Sequence, residues 1–141
     1  MNVILTLWRR TTAILLFGIF LVTISGCPKV YTHEMMQPLA ATASDLARSV
    51  MQFAKNNPAE AALLDDQELV RRATAFDPNL LESYKGYVVR GTVDGVILVC
   101  TGDGGRGLLE DAECSDKVDK LLWSDYNAPC QFTLKPETAC P

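Results

Sequence analysis

The residues best suited to chemistry are the five cysteines, four of which lie in the C-terminal third of the chain. The intervals between Cys100, Cys114, Cys130 and Cys140 are 14, 16 and 10 residues. These intervals contain no C-x-x-C pair, so a zinc site is disfavoured. These four cysteines are an even number, which in a small exported domain instead indicates disulfides. Three connectivities are possible, and we favour Cys100–Cys114 with Cys130–Cys140 because sequence neighbours close short loops without special topology.

Few residues suit catalysis. Ser-His-Asp and Cys-His mechanisms need a histidine that is fixed in a folded domain, whereas the only histidine, His33, falls in a predicted tether. Glu110, Asp111 and Glu113 could serve as acid and base or bind calcium, but they lack the alternating ligand spacing of a calcium loop. We interpret them as a solvated helix face. The sequence therefore predicts no enzyme, and a carboxylate-based hydrolase is the least favoured function.

Residues 102–107 match the pattern G-x-G-x-x-G. Dinucleotide binding also requires a βαβ unit with a parallel strand, but the preceding strand belongs to a predicted antiparallel hairpin and the chain is too short for that fold. We interpret the segment as a flexible turn from a strand to a helix, and we predict no cofactor. Asp103 and Arg106 lie in this turn, where an exposed guanidinium could bind a partner carboxylate.

The N-terminal residues have the layout of a secretory signal. Arg9 and Arg10 precede a mostly apolar run at residues 13–24, which is long enough to engage the export machinery. The run is shorter than the roughly 20 residues that span a bilayer. It leads into residues 24–27, where an aliphatic residue and two small residues precede Cys27. This arrangement has the form of a lipobox.

Residues 1–27 resemble the signal sequences of bacterial lipoproteins as a class. The resemblance implies that cleavage removes residues 1–26 and that the Cys27 sulfur carries a diacylglycerol. The next residue, Pro28, is not the aspartate typical of inner-membrane retention, so we expect the outer membrane, facing the periplasm. An uncleaved signal-anchor helix is the alternative.

The mature chain would be small and acidic. Without residues 1–26 the thirteen Lys and Arg residues fall to eleven against seventeen Asp and Glu, which gives a net charge of −6. This charge disfavours nucleic acid, because its binding rests on cations that neutralise phosphates. The lipid anchor is then the expected link to the membrane. We predict a lipidated tether at residues 27–36 and a single globular domain at residues 37–141.

Helices are predicted in the first half of this domain. Residues 37–56 carry one apolar stripe, with Pro38 in the first turn. Three further helix starts are indicated, at Asn57-Pro58, at Asp65 with Glu68, and at Asp77-Pro78. We interpret Asp65 and Asp66 as capping charges rather than a catalytic pair. The residues expected to face inward after that cap are Leu69, Val70, Ala73 and Phe76.

A β-hairpin is predicted at residues 86–101, because Asp94-Gly95 is typical of a two-residue type I′ turn. Residues 130–134 alternate between apolar and polar and could supply a third strand, while residues 107–123 are predicted to form two short helices. The hairpin residues assigned to the core face are Tyr87, Val89, Val93, Val96, Leu98 and Cys100. The predicted fold is α+β: a small disulfide-stapled domain with N-terminal helices packed on a two- or three-stranded antiparallel sheet.

These features favour a binding function. We predict a lipoprotein that acts as a non-catalytic protein-binding module or as an accessory of an envelope assembly, such as a secretion or pilus system. The alternative is a periplasmic inhibitor or immunity protein against a toxin or lytic enzyme, because opposite charges speed association with a basic enzyme. We expect the partner-binding residues in the glycine-rich loop, since binding residues concentrate in loops on rigid scaffolds.

Overall fold

The computed structural model describes residues 30–112, 120–121 and 127–134. By internal contacts the chain divides into Met1–Val30 and Tyr31–Pro141, and the elements below belong to the second unit. In chain order they are α1 (His33–Asn56), α2 (Pro58–Ala61), α3 (Asp66–Ala73), a 3₁₀ helix (Pro78–Tyr84), β1 (Val88–Gly91), β2 (Val96–Cys100), β3 (Gly107–Ala112) and β4 (Lys120–Leu121). None of the described helices has the length and apolar character needed to cross a bilayer.

The helices pack against an antiparallel sheet, which confirms the predicted α+β fold. Strands β1, β2 and β3 form its body in sequential order, and β4 adds two residues beside β3. The main core lies between the sheet and α1, with α3 and the 3₁₀ helix contributing side chains. The buried residues of α1 are Met36, Leu39, Ala43, Leu46, Ala47, Val50 and Ala54. They recur mostly every three or four residues, so one stripe of the helix faces the core.

Helix α1 begins four residues before its predicted start. Thr32 has an extended backbone, and its Oγ1 accepts a hydrogen bond from Met35 N–H at 3.4 Å. Met36 is fully buried, so its apolar side chain extends the stripe toward the N-terminus. The predicted tether is therefore wrong over its last four residues. His33 lies in the first turn of a helix, and Pro38 lies inside that helix rather than in its first turn.

Helix α3 and the 3₁₀ helix begin where their capping residues predict. Asp65 accepts hydrogen bonds from the N–H groups of Gln67 and Glu68 at 3.0 and 2.8 Å, which confirms it as the N-cap of α3. Asp77 accepts a hydrogen bond from Asn79 N–H at 3.2 Å and caps the 3₁₀ helix in the same way. Local side-chain capping thus sets both starts.

The β1–β2 hairpin is one residue out of the predicted register. Thr92 N–H donates to the Val96 carbonyl at 2.9 Å, so the turn between them has three residues rather than two. Gly95 has φ +83° in this turn, the left-handed conformation that a three-residue hairpin loop requires. Because side chains alternate along a strand, the shift turns Ile97 and Val99 toward the helices. The residues turned to the opposite face are Leu98 and Cys100.

Residues 107–112 form strand β3, although their Leu, Glu and Ala content predicts a helix. The strand pairs with β2, and all six of its residues are buried. Because both faces are covered, the sequence has no alternation of polar and apolar residues to reveal a strand. Burial then overrides local propensity. The helix prediction is also wrong at Lys120–Leu121, and the rest of residues 113–126 lies outside the described part of the chain.

An irregular segment at residues 127–134 lies on the sheet face opposite the helices, where Ala128 and Phe132 pack with Leu98. The third strand predicted at residues 130–134 is therefore wrong, and β3 takes its place in the sheet. This segment gives the sheet a second, smaller core. Both faces of β2 are buried as a result.

Cys100 forms a disulfide with Cys130, with the Cα atoms 5.7 Å apart, so both favoured pairings, Cys100–Cys114 and Cys130–Cys140, are wrong. In the antiparallel register of β2 and β3, Val96 lies opposite Ala112. Ala112 comes two residues before Cys114 and lies at the other end of β2 from Cys100, roughly 13 Å away at the usual rise of a strand. Cys130 instead lies in the segment that packs on the same sheet face as Cys100.

Candidate functional site

The glycine-rich loop is a hairpin turn between β2 and β3, not a link from a strand to a helix. Thr101 N–H donates to the Arg106 carbonyl at 2.9 Å, and Gly104 N–H donates to the Thr101 carbonyl at 2.7 Å. The Asp103 carboxylate accepts hydrogen bonds from the Thr101 hydroxyl and from Gly105 N–H. These two hydrogen bonds stabilise the charged carboxylate and hold the pKa of Asp103 below its usual value. The bond from the Thr101 hydroxyl has the larger effect. Asp103 is exposed, but its carboxylate serves to close the turn.

Arg106 is only partly exposed, so its guanidinium is less accessible than the sequence predicts. Its guanidinium carbon lies 5.0 Å from the centre of the Tyr31 ring, a cation–π contact. The Tyr31 ring in turn lies 6.3 Å from that of Tyr87. Gly102 approaches the chain so closely that an added Cβ would lie 2.5 Å from the carbonyl oxygen of Gly86. The loop therefore lies against the residues that precede α1 and β1.

Glu110 was predicted to lie on a solvated helix face, but it is completely buried. Its Oε1 accepts hydrogen bonds from the N–H groups of Thr133 and Leu134 at 2.6 and 2.9 Å. Its Oε2 accepts one from the Thr133 hydroxyl at 2.6 Å. Burying a carboxylate costs free energy unless hydrogen bonds compensate it. Here both oxygens are engaged in holding residues 127–134 on the sheet, so we interpret Glu110 as a structural residue.

Asp111 is buried as well, which also contradicts the solvated-face prediction. One of its oxygens accepts a hydrogen bond from Ala112 N–H at 2.9 Å. Tyr84 is buried, and its hydroxyl donates to the Leu39 carbonyl at 2.8 Å and accepts from the Thr42 hydroxyl at 3.0 Å. Burial, with a smaller contribution from the negative charge of Asp111, raises the pKa of Tyr84 to about 12. This phenol therefore stays protonated at neutral pH.

Arg90 is a connecting residue that sequence reasoning missed. Its Nε and Nη2 lie 3.0 and 2.5 Å from a carboxylate oxygen of Asp66, and its Nη1 donates to the Cys130 carbonyl at 2.9 Å. Its guanidinium carbon also lies 5.4 Å from the centre of the Phe132 ring. One side chain thus joins α3, β1 and residues 127–134. The sequence offered no signal for it, because all three partners are distant in the chain.

Large apolar side chains are exposed around the C-terminal end of α1. Phe76 was predicted to face inward, but α3 ends at Ala73 and Phe76 is 96% exposed. Phe76 lines a surface groove with Asn56 and Asn57, the residues at which α1 ends. Leu63, in the connection between α2 and α3, is 87% exposed.

A second groove, of about 390 Å³, lies on another side of the same end of α1. Met51 and Val93 line it and are 37% and 45% exposed. Lys55 also lines it and supplies a cation. We call the residues Met51, Leu63, Phe76 and Val93 the apolar end of the domain.

Several predicted site residues lie outside the described part of the chain: Cys27, Glu113, Cys114 and Cys140. Lipidation of Cys27 and oxidation of Cys114 and Cys140 thus stay predictions. Within the described residues, no three His, Cys, Asp or Glu side chains are grouped so that they could hold a metal ion. Comparisons with protein-family models, with curated proteins and with solved structures find no match. The proposals below rest on the residues of this chain.

Proposed function

We propose that this chain is an exported lipoprotein, anchored through Cys27 to the outer membrane on its periplasmic side, that binds another envelope protein without catalysing a reaction. The lipobox at residues 24–27 supports the anchor. The Cys100–Cys130 disulfide supports export, since disulfides persist in oxidising compartments such as the periplasm. The bound protein would belong to an envelope assembly, such as a secretion or pilus system.

The apolar end is the observation that carries the proposed binding function. Leu63 and Phe76 are almost completely exposed, although burying a side chain of this kind contributes about 1.5–3 kcal/mol. Phe76, Met51 and Val93 line two grooves at the same end of α1, and exposed apolar surface of this kind often marks a protein-binding site. The partner would place apolar side chains over this end and in the groove lined by Met51 and Val93, with an acidic group facing Lys55.

The test is a double substitution, Leu63→Asp with Phe76→Asp, in the full-length lipidated protein. Both side chains are exposed, so the melting temperature should stay close to that of the wild type. Capture of the partner from detergent-solubilised envelopes should weaken by at least about tenfold, which corresponds to about 1.4 kcal/mol. The matched control is Met35→Asp, because Met35 is 46% exposed near the other end of α1. Equal capture by the double variant and the wild type would refute the assignment.

Inhibition of a toxin or a cell-wall lytic enzyme is the second candidate, and the net charge of −6 after cleavage favours it. Association with a basic enzyme would be driven by opposite charges and would slow as the salt concentration rises. Addition of the purified domain should then reduce the activity of the captured enzyme. A captured partner without hydrolytic or toxic activity would favour the accessory role.

The loop with Asp103 and Arg106 is the alternative location of the partner-binding surface, at the opposite end of the domain from the apolar end. Arg106→Glu should weaken capture if the loop contacts the partner. It should also lower stability by about 0.5–1 kcal/mol, because it removes the cation–π contact with Tyr31. Loss of capture in Arg106→Glu, together with normal capture in the double aspartate variant, would move the site to the loop.

A further inference from the structure

The end of the domain that carries Tyr31 and the β2–β3 loop has a composition suited to a lipid surface. Tyr31 and Tyr87 are half-buried and form an aromatic pair, and the Arg106 guanidinium lies over the Tyr31 ring. Met35, in the first turn of α1, is 46% exposed. Tyrosine is favoured at membrane interfaces because one end of the side chain is apolar and the other is polar. Arginine can likewise pack its stem on apolar groups while its charge reaches water.

Chain length determines which end of the domain can be near the anchor. Tyr31 follows Cys27 by four residues. At about 3.3–3.6 Å per residue, its Cα lies within roughly 14 Å of the Cα of Cys27. Because α1 begins at His33, the predicted tether of ten residues is cut short, and the domain has little freedom to turn away from the membrane.

The apolar end lies at the other end of the same helix. With 24 residues and a rise of about 1.5 Å per residue, α1 is about 36 Å long. Met51 and the groove beside it lie near its C-terminal end, whereas Tyr31 and Met35 lie at its start. An anchor at one end therefore leaves the other end available to a partner in the periplasm.

We infer that Tyr31, Met35, Tyr87 and the β2–β3 loop rest on the phospholipid interface of the membrane that holds the anchor, so that the apolar end points away from it. This inference rests on the proposed lipidation of Cys27. The contact is apolar and aromatic rather than electrostatic, because a mature chain with a net charge of −6 gains nothing from the negative field of anionic lipids. The orientation should therefore persist at about 1 M salt, where the Debye length is about 3 Å.

The test uses lipidated, isotope-labelled protein in nanodiscs of phosphatidylethanolamine and phosphatidylglycerol that contain a lipid with a paramagnetic headgroup. The amide signals of Gly102 and Gly104, in the β2–β3 loop, should lose more than half of their intensity. The amide signals of Asp94 and Gly95, in the β1–β2 turn beside the apolar end, should keep nearly all of theirs. Met35→Glu should reduce the difference in signal loss between the β2–β3 loop and the β1–β2 turn. The matched variant Met51→Glu should leave it unchanged, because Met51 belongs to the apolar end.

The outcomes separate the orientation from the anchor. Mass spectrometry of the purified protein reports whether the lipid is attached. Protein without lipid would overturn both the anchor and the orientation. Lipidated protein with equal attenuation at Gly95 and Gly104 would overturn the orientation alone, as would loss of the difference at high salt.

Discussion

Substitution of Glu110 tests whether this buried carboxylate holds residues 127–134 on the sheet. Glu110→Ala removes the acceptor for three donors: the N–H groups of Thr133 and Leu134 and the Thr133 hydroxyl. Hydrogen bonds to a charged group contribute about 1.5–3 kcal/mol each, so losing all three without replacement would lower the free energy of unfolding by about 4.5–9 kcal/mol. Thr133 is exposed, and water can replace part of that loss at its two donors. We expect a decrease of about 3–4 kcal/mol in the free energy of unfolding.

Glu110→Gln is the informative comparison. The amide oxygen can keep both backbone N–H partners, and the amide nitrogen can donate to the Thr133 hydroxyl, which also accepts. Glu110→Gln therefore loses only the extra strength that the negative charge gives to these hydrogen bonds. It also removes the free-energy cost of burying that charge. We expect a decrease of about 1 kcal/mol for Glu110→Gln.

Thermal unfolding followed by circular dichroism measures the difference. For a domain of this size, about 4 °C corresponds to 1 kcal/mol, so Glu110→Ala should melt roughly 12–16 °C below the wild type. Amide hydrogen exchange at Leu134 should accelerate in Glu110→Ala and not in Glu110→Gln. The control is Glu82→Ala, which removes an exposed carboxylate paired with Lys85 and should change the melting temperature little. Equal melting temperatures for Glu110→Ala and Glu110→Gln would refute the reasoning.

Replacing both Cys100 and Cys130 with alanine opens a loop of 30 residues, and the chain-entropy relation gives a loss of about 3.6 kcal/mol, measurable by urea unfolding. Peptide mapping without reduction should find this pair, and by elimination the pair Cys114–Cys140, if all four thiols are oxidised as the sequence predicts. Tyr84 should ionise near pH 12 in an ultraviolet titration, because its pKa is raised to about 12. Its contribution to stability is complete below pH 10 and decreases as the pH rises through 12, and Tyr84→Phe should remove this late phenolate signal. Cys27→Ser should leave an unprocessed precursor, and incorporation of labelled fatty acid into that variant would contradict the lipidation.

Local signals determined a substantial part of the fold. The apolar periodicity of α1 and the side-chain caps at Asp65 and Asp77 depend on residues within one or two turns, and the structure confirms them. The predicted start of α1 is four residues late, although the signals for its true start are also local. The Thr32 cap and the apolar side chain of Met36 are local signals too, and both lie within the segment that was predicted to be a tether.

The sequence alone determined an acidic composition and the positions of five cysteines, and from these it predicts export, lipidation of Cys27 and disulfides. Only the tertiary structure decided that residues 107–112 are a strand, that Cys100 pairs with Cys130, and that Glu110 is buried. Each depends on which segments cover the two faces of β2 and β3. Helix propensity and cysteine spacing are local quantities, whereas burial on both faces of a sheet arises from contacts between residues far apart in sequence. The same long-range packing leaves Leu63 and Phe76 exposed at one end of the domain, a feature that their hydrophobicity alone would have assigned to the core.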